Sequence, residues 1–275
     1  MSKRTEEFRS AWMLLTRIPL ARDRYGREEA GGNAAQKTVT ASPAERVPLA
    51  KTVWAWPVIG GLIGAFSALL ILVLVLAGVD LSLAVLWVVA AQFLITGALH
   101  EDGLMDAADG LFGGRNPERR LAIMRDSRVG SFGVLAGVLA SLGKWSAYLA
   151  ICRTASFDMV QTVLALAAAA AFGRLGMVQV LSLSRPARSN GMASGIIVAK
   201  DKCVPPILIS LVIGLGVGVI PTAMALLASG LLAMGVARYA QQKIGGYTGD
   251  ILGATAIIIE LATLTIYSAT GGDCL

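Results

Sequence analysis

Apolar runs follow one another along most of the chain, cut by short polar breaks. From about Trp54 to Val79 and from about Leu81 to Leu99 nearly every position is apolar, and Gly78, Val79 and Asp80 supply turn chemistry between them. The pattern predicts a helical hairpin. A polar segment extends from His100 to Gly130, followed by apolar runs to about Ile151, from Phe157 to Leu183, from Val204 to Val219, from Thr222 to Ala237 and from Ile251 to Ala269. Ser184 to Lys202 forms another polar break, and Pro221 separates the two shorter runs. Since a crossing takes roughly 20 apolar residues, the pattern predicts about seven spans in an all-α, polytopic transmembrane helical bundle. Ahead of them, Phe8, Trp12 and Leu15 recur at helical spacing and the pattern stops at Pro19. This predicts a short helix, either lying in the membrane interface or packed like an ordinary helix. Residues 21–51 are polar, with Pro43, Pro48 and charges of both signs, and read as a flexible loop. The expected division is residues 1–53, interfacial helix and polar loop, and residues 54–275, a multi-span membrane catalytic domain.

Composition agrees. Hydrophobic residues make up 55% of the chain and charged ones 15%, with a mean hydropathy of +0.67, far from the balance of a soluble domain. The net charge of +6 is unevenly spread and reports loop orientation and anionic headgroups rather than nucleic acid. With the N-terminus inside, the inner segments hold the cations up to Lys51, then Arg115, Arg119, Arg120, Arg125 and Arg128, then Arg185, Arg188, Lys200, Lys202, Arg238 and Lys243. The outer loops hold only Arg153, so the chain is expected to be N-in. Lys144 and Arg174 fall within predicted spans, where a cation needs a partner or an aqueous cavity. Cys152, Cys203 and Cys274 are too scattered for a disulfide framework or a metal motif, and no removable signal peptide is expected.

The same orientation puts Glu101, Asp102, Asp106, Asp109, Asp126 and Asp250 on the cytoplasmic side. On a helix, Asp102, Asp106 and Asp109 fall within about 60° of one another over roughly 10 Å. Carboxylates so placed repel and call for a compensating cation, either a metal ion or arginine. Oxygen ligands suit Mg²⁺ or Mn²⁺ rather than zinc, and only His100 offers nitrogen nearby. Gly103, Gly110, Gly113 and Gly114 surround the acids, and Gly130 and Gly133 follow Asp126, Ser127 and Arg128. Glycine lets backbone N–H groups approach a phosphate and arginine offers a planar fork, a combination suited to phosphoryl transfer. A solvated loop paired with the arginines, and glycines serving turns or close helix packing, also fit these residues. Gly245-Gly246-Tyr247-Thr248-Gly249-Asp250 leads into the last span. Glu260 lies about 15 Å deeper, a functional candidate or the partner of Lys144 or Arg174.

The stretch TGALHEDGLMDAADGLFGGRNPERRLAIMRDSRVGSFGVLA from Thr96 resembles, nearly position by position, the signature region of the cobalamin synthase family, adenosylcobinamide-GDP ribazoletransferase. GGYTGDILGA with Glu260 downstream resembles that family's second signature, and TRIPL and WPVIGGLIGA are similar to family members, so the resemblance covers most of the chain from residue 11. It implies a Mg²⁺-dependent enzyme of the bacterial inner membrane, and the orientation read from the basic residues puts its site on the cytoplasmic side. Such an enzyme joins the cobinamide phosphate half of adenosylcobinamide-GDP to α-ribazole or its 5′-phosphate, and GMP leaves. Carried over, metal binding falls on Asp102, Asp106 and Asp109, with Asp126 and Asp250 in support. Phosphate contacts fall on Arg125 and Arg128, with Ser127 and Gly130 beside them. His100 is expected to position a hydroxyl or a phosphate. Expected partners are the two substrates and membrane lipid, with assembly of several copies left open.

Three departures stand out: a longer polar segment at 21–50, Glu101 where an apolar residue is expected, and SRPARSNGMASG, which follows the family only loosely and is assigned no contacts. The rival readings are a CDP-alcohol phosphotransferase, whose Ala-Arg pair is missing after Asp102-Gly103, and an ion or metal transporter, which predicts midplane acids and is matched only by Glu260.

Overall fold

A computed structural model describes residues 2–20, 48–154, 158–188, 196 and 198–270. Most of the polar loop predicted at 21–51 lies outside them. Among the described residues there are ten α-helices and no strand, as expected of an all-α bundle. In α1 (Lys3–Leu15), the Ser2 side chain caps the first turn by accepting from Thr5 N, and Ala11 and Leu15 are fully buried. Phe8 sits 6.5 Å from Trp54 between ring centres, and the Trp54 indole donates to Glu7 Oε2 at 2.8 Å. The apolar side of α1 thus meets the start of α2 (Ala55–Leu76).

Asp80 N-caps α3 (Leu81–Thr96) after the turn at Gly78, accepting from Ser82 N at 2.8 Å, so the predicted hairpin forms as read. Farther along come α6 (Ser131–Thr154), α7 (Met159–Leu183), α8 (Val204–Leu215), α9 (Val219–Ile244) and α10 (Gly249–Thr270). The most deeply buried is α7, whose run Ala167–Ala171 with Gly173 gives a smooth surface against which α2 and α10 pack. A Cβ at Gly60 of α2 would stand 2.5 Å from the Ala170 carbonyl oxygen, and one at Gly173 would stand 2.7 Å from that of Ala256 in α10. Lipid offers helices no hydrophobic drive to associate, so such backbone approach between small residues supplies the packing.

Five helices, α2, α6, α7, α9 and α10, are long and apolar enough to cross a membrane. The seven apolar runs of the sequence are therefore unequal. At about 1.5 Å per residue, α8 reaches roughly 18 Å and α3 roughly 24 Å, short of a hydrocarbon core of about 30 Å. The break after α3 carries the most consequence. Gly97 (φ 64°) and Ala98 (φ 53°) both adopt the left-handed conformation, which costs a non-glycine residue roughly 1–2 kcal/mol, and the chain turns by 88° into α4 (Leu99–Gly113). A sixth crossing exists if α3 and α4 together count as one.

After its turn α4 packs against α6 and α10. The contact with α10 rests on two glycines: a Cβ at Gly103 would lie 3.1 Å from Asp250 Cα, and one at Gly253 would lie 3.1 Å from the His100 carbonyl oxygen. Side chains there would push apart the two helices that carry the acids. A short helix, α5 (Pro117–Ile123), follows, capped by Asn116. Its Arg120 donates to the Leu111 and Lys243 carbonyl oxygens at 3.3 and 3.2 Å, tying the end of α4 to the end of α9.

Candidate active site

The crossing of α4 and α10 gathers Asp102 and Asp106 from one helix and Asp250 from the other. Asp102, Asp250 and Asp109 all act repulsively on Asp106, so the group is compact enough for like charges to be felt. Asp250 Oδ2 accepts from Thr248 Oγ1 at 3.1 Å and pairs with Arg188 Nη2 at 3.2 Å. Arg188 reaches it because residues 185–187 are bridged to Tyr247: Ala187 N donates to the Tyr247 carbonyl and Tyr247 N to the Arg185 carbonyl, both at 2.9 Å. Partial burial pulls Arg188 below the usual arginine range, Asp250 opposes that shift, and Arg125 lies near enough to add to it. Arg125 thus lies at the same margin as Arg188, and Arg188 is an addition that the loosely matching polar stretch gave no means of assigning.

Asp109 has a different environment from its neighbours on the face predicted for metal binding. It is 7% exposed, and its two oxygens accept from Gly130 N at 2.6 Å and Gly133 N at 2.8 Å. These amides open α6, whose first N–H groups have no partner within their own helix. A Cβ at Gly130 would stand 2.5 Å from Asp109 Oδ1, so glycine there serves the carboxylate of a neighbouring helix. Asp126 is set apart too. It and Arg128 bind one another, with Arg128 Nη2 2.7 Å from Asp126 Oδ2, and Arg128 holds the Asp126 carboxyl at about 2, ionised across the physiological range. Ser127 and Arg128 are exposed in this loop.

His100 is buried beneath the acids, lining a cavity together with Asp102 and Asp250. Behind it, deeper in the bundle, Glu260 meets both intramembrane cations: Lys144 Nζ lies 3.1 Å from its Oε1, and Arg174 donates to its Oε2. Lys144 also lies 3.5 Å from Glu101 and donates to Gln92 Oε1 at 3.2 Å. Glu101, which stood out where an apolar side chain was expected, thus faces a buried cation.

Among the described residues no group of three or more His, Cys, Asp or Glu side chains forms a ready coordination shell. Mg²⁺ does not require one, since it keeps several waters and takes one or two carboxylates together with substrate phosphates. The oxygen-only donors Asp102, Asp106 and Asp250, with mutual repulsion at Asp106, fit such an ion. Asp109, with both oxygens bound by amides, and Asp126, with both bound by Arg128, fit it less well, whereas the hydrogen bonds to Asp250 both fall on Oδ2.

Comparison with known proteins gives one consistent result. The family model described as cobalamin-5-phosphate synthase matches residues 7–268. A protein of Bradyrhizobium diazoefficiens named adenosylcobinamide-GDP ribazoletransferase is 40% identical over 236 residues, covering 84% of this chain and 87% of the relative. Proteins of the same name from Rhizobium johnstonii and Brucella ovis are each 36% identical, covering 78% and 76% of this chain and 85% and 82% of their own lengths. No solved structure matches the chain.

Proposed function

This chain belongs to the cobalamin-5-phosphate synthase family, and from that premise we propose that it is an adenosylcobinamide-GDP ribazoletransferase acting late in cobalamin biosynthesis. It transfers the cobinamide phosphate of adenosylcobinamide-GDP to α-ribazole or α-ribazole 5′-phosphate. The observation that carries this reading is the convergence of Asp102, Asp106 and Asp250, flanked by Arg188 and Arg125, where α4 crosses α10.

Each group has work in such a reaction. A ribose hydroxyl oxygen forms a bond to the phosphorus on the cobinamide side, the bond from that phosphorus to the bridging oxygen breaks, and GMP leaves with the electron pair. Asp102, exposed beside the cavity, takes the hydroxyl proton. Arg125 and Arg188 offset the charge of the diphosphate, and Asp250 orients Arg188. His100 holds the acceptor through its buried side chain. Asp102, Asp106 and Asp250 would hold Mg²⁺, which when bound stabilises charge on the phosphoryl oxygens. Neither the CDP-alcohol phosphotransferase nor the transporter reading is favoured.

The direct test is purified protein in lipid, supplied with adenosylcobinamide-GDP and α-ribazole and assayed for GMP and the cobalamin product. GMP release that stops with chelator and returns with Mg²⁺ is expected. Product formed at full rate without any divalent ion would remove the metal.

The apolar helices make this a multi-pass membrane protein; we propose that it lies in the bacterial inner membrane, and the basic segments support an orientation with the N-terminus and the acids on the cytoplasmic side. Gly113 is exposed at the end of α4, and an added Cβ would meet only Ile123 Cδ1, at 3.8 Å. A cysteine placed there in a cysteine-free chain is expected to react with a membrane-impermeant maleimide from the cytoplasmic side only. Labelling from outside would invert the orientation.

A further inference from the structure

Behind the two helices that carry the acids lies a groove of about 450 Å³ between α4, α9 and α10, walled by Leu104, Ala107 and Leu111, by Gly235 and Tyr239, and by Ile258. The three α4 residues stand roughly 140–200° around their helix from Asp102, at about 100° per residue, so the groove follows the back of the acid-bearing face. Ile251, the neighbour of Asp250, lines it from α10.

Position and charge together say what covers this groove. Both α9 and α10 are long and apolar enough to cross a membrane, and Phe112 and Leu231 on the rim are mostly exposed, so lipid hydrocarbon faces the opening. From Leu231 to Tyr239 the α9 wall runs about 12 Å at 1.5 Å per residue, close to the roughly 15 Å of hydrocarbon in one leaflet. A Cβ added at Gly235 would meet nothing within 4 Å, which leaves the α9 wall open where an acyl chain would lie. The Tyr239 end is cationic. Lys243 Nζ stands 5.4 Å from the centre of the Tyr239 ring, and Arg120 donates to the carbonyl oxygens of Leu111 and Lys243. Among the described residues neither cation forms an ion pair, whereas Arg128, Lys144, Arg174 and Arg188 all face carboxylates.

An apolar groove one leaflet deep, ending at two cations without counter-ions, matches the two parts of an anionic phospholipid. A free phosphate would leave the groove unfilled, and a zwitterionic headgroup would bring its own cation to Lys243 and Arg120. We propose that this groove binds one anionic phospholipid, its acyl chain along α9 and its phosphate at Lys243 and Arg120, and that the chain braces α4 and α10 from behind. The dispersion contacts it supplies hold together the two helices on which Asp102, Asp106 and Asp250 are gathered. The bracing rests on the transferase reading above, and the binding does not.

The test uses the full-length protein in nanodiscs of phosphatidylcholine alone, or of equal parts phosphatidylcholine and phosphatidylglycerol. Gly235→Trp fills the groove from a position with room for a side chain, and Lys243→Gln removes one of the two cations. Native mass spectrometry after bulk lipid is stripped is expected to show phosphatidylglycerol retained by wild type, retained about fivefold less by Lys243→Gln, and lost from Gly235→Trp. GMP release by wild type should be at least about fivefold faster in the mixed membrane, and this ratio should fall close to one in Gly235→Trp. Each ratio is taken within one variant, so it is independent of how much protein folds. Equal retention in wild type and both variants would reduce the effect to bulk surface charge and overturn the site. A wild-type rate ratio of one would overturn the bracing. Wild type that retains the lipid but releases no GMP in either membrane would overturn the transferase reading and leave the lipid site standing.

Discussion

Asp102→Asn and Asp106→Asn are each expected to lower turnover by roughly 10²–10⁴-fold, the range for a positioned proton acceptor or a metal carboxylate, while leaving membrane insertion and thermal stability close to wild type. Both side chains reach solvent or half reach it, and the change of volume is small, so little packing is at stake. Removing the charge of Asp106 even relieves repulsion from Asp102, Asp109 and Asp250. Asp109→Asn should divide differently. Its carboxylate is buried and accepts from Gly130 N and Gly133 N, so the amide keeps one acceptor and sets an NH₂ group against the other N–H. A stability loss of about 1–3 kcal/mol is expected there, with lower activity following from a displaced α6. Thermal melts in lipid beside initial rates of GMP release separate the two patterns. Full activity in both Asp102→Asn and Asp106→Asn would exclude the acid cluster from the reaction.

Glu260→Gln is expected to be the most destabilising of the polar substitutions, by about 3–5 kcal/mol, because it leaves buried positive charge without its counter-ion. The structure specifies which cation suffers. Lys144 keeps Glu101 at 3.5 Å and Gln92 at 3.2 Å after Glu260 is neutralised. Among the described residues Arg174 keeps the Ala170 carbonyl at 3.4 Å and no other acceptor of its present set, and its Nε is already unpartnered. Adding Arg174→Met to Glu260→Gln should therefore restore much of the lost stability, and adding Lys144→Met should restore less, since that change strands Glu101. The Mg²⁺ concentration for half-maximal activity should stay near wild type in every variant that folds. A Glu260→Gln protein of normal stability that needs far more Mg²⁺ would instead make Glu260 part of the proposed metal site.

These expectations show what local sequence carried. Apolar run length located α2, α6, α7 and α10 to within a few residues, because helix formation in lipid is set by run length and by the need to satisfy every backbone group internally. Helical spacing put Asp102 and Asp106 on one face, and the rarity of buried charge made Lys144 or Arg174 a partner for Glu260 as one of two readings, where the structure places both cations against it.

Tertiary structure decided the rest, wherever the partner lies far along the chain. Ala98 has no composition that announces a left-handed backbone, so neither the 88° turn that sends α4 back into the bundle nor the shortness of α3 was legible. Asp109 lies on the same helical stripe as Asp102 and Asp106, and only the approach of Gly130 and Gly133 commits it to the start of α6. Arg188 meets Asp250 across 62 positions through a two-residue bridge to Tyr247, a contact with no periodic signature. Periodicity and composition fix which residues share a helix and which side of it they occupy. Which of those sides meet depends on close packing between glycines such as Gly103 and Gly253, and that is a property of two helices together.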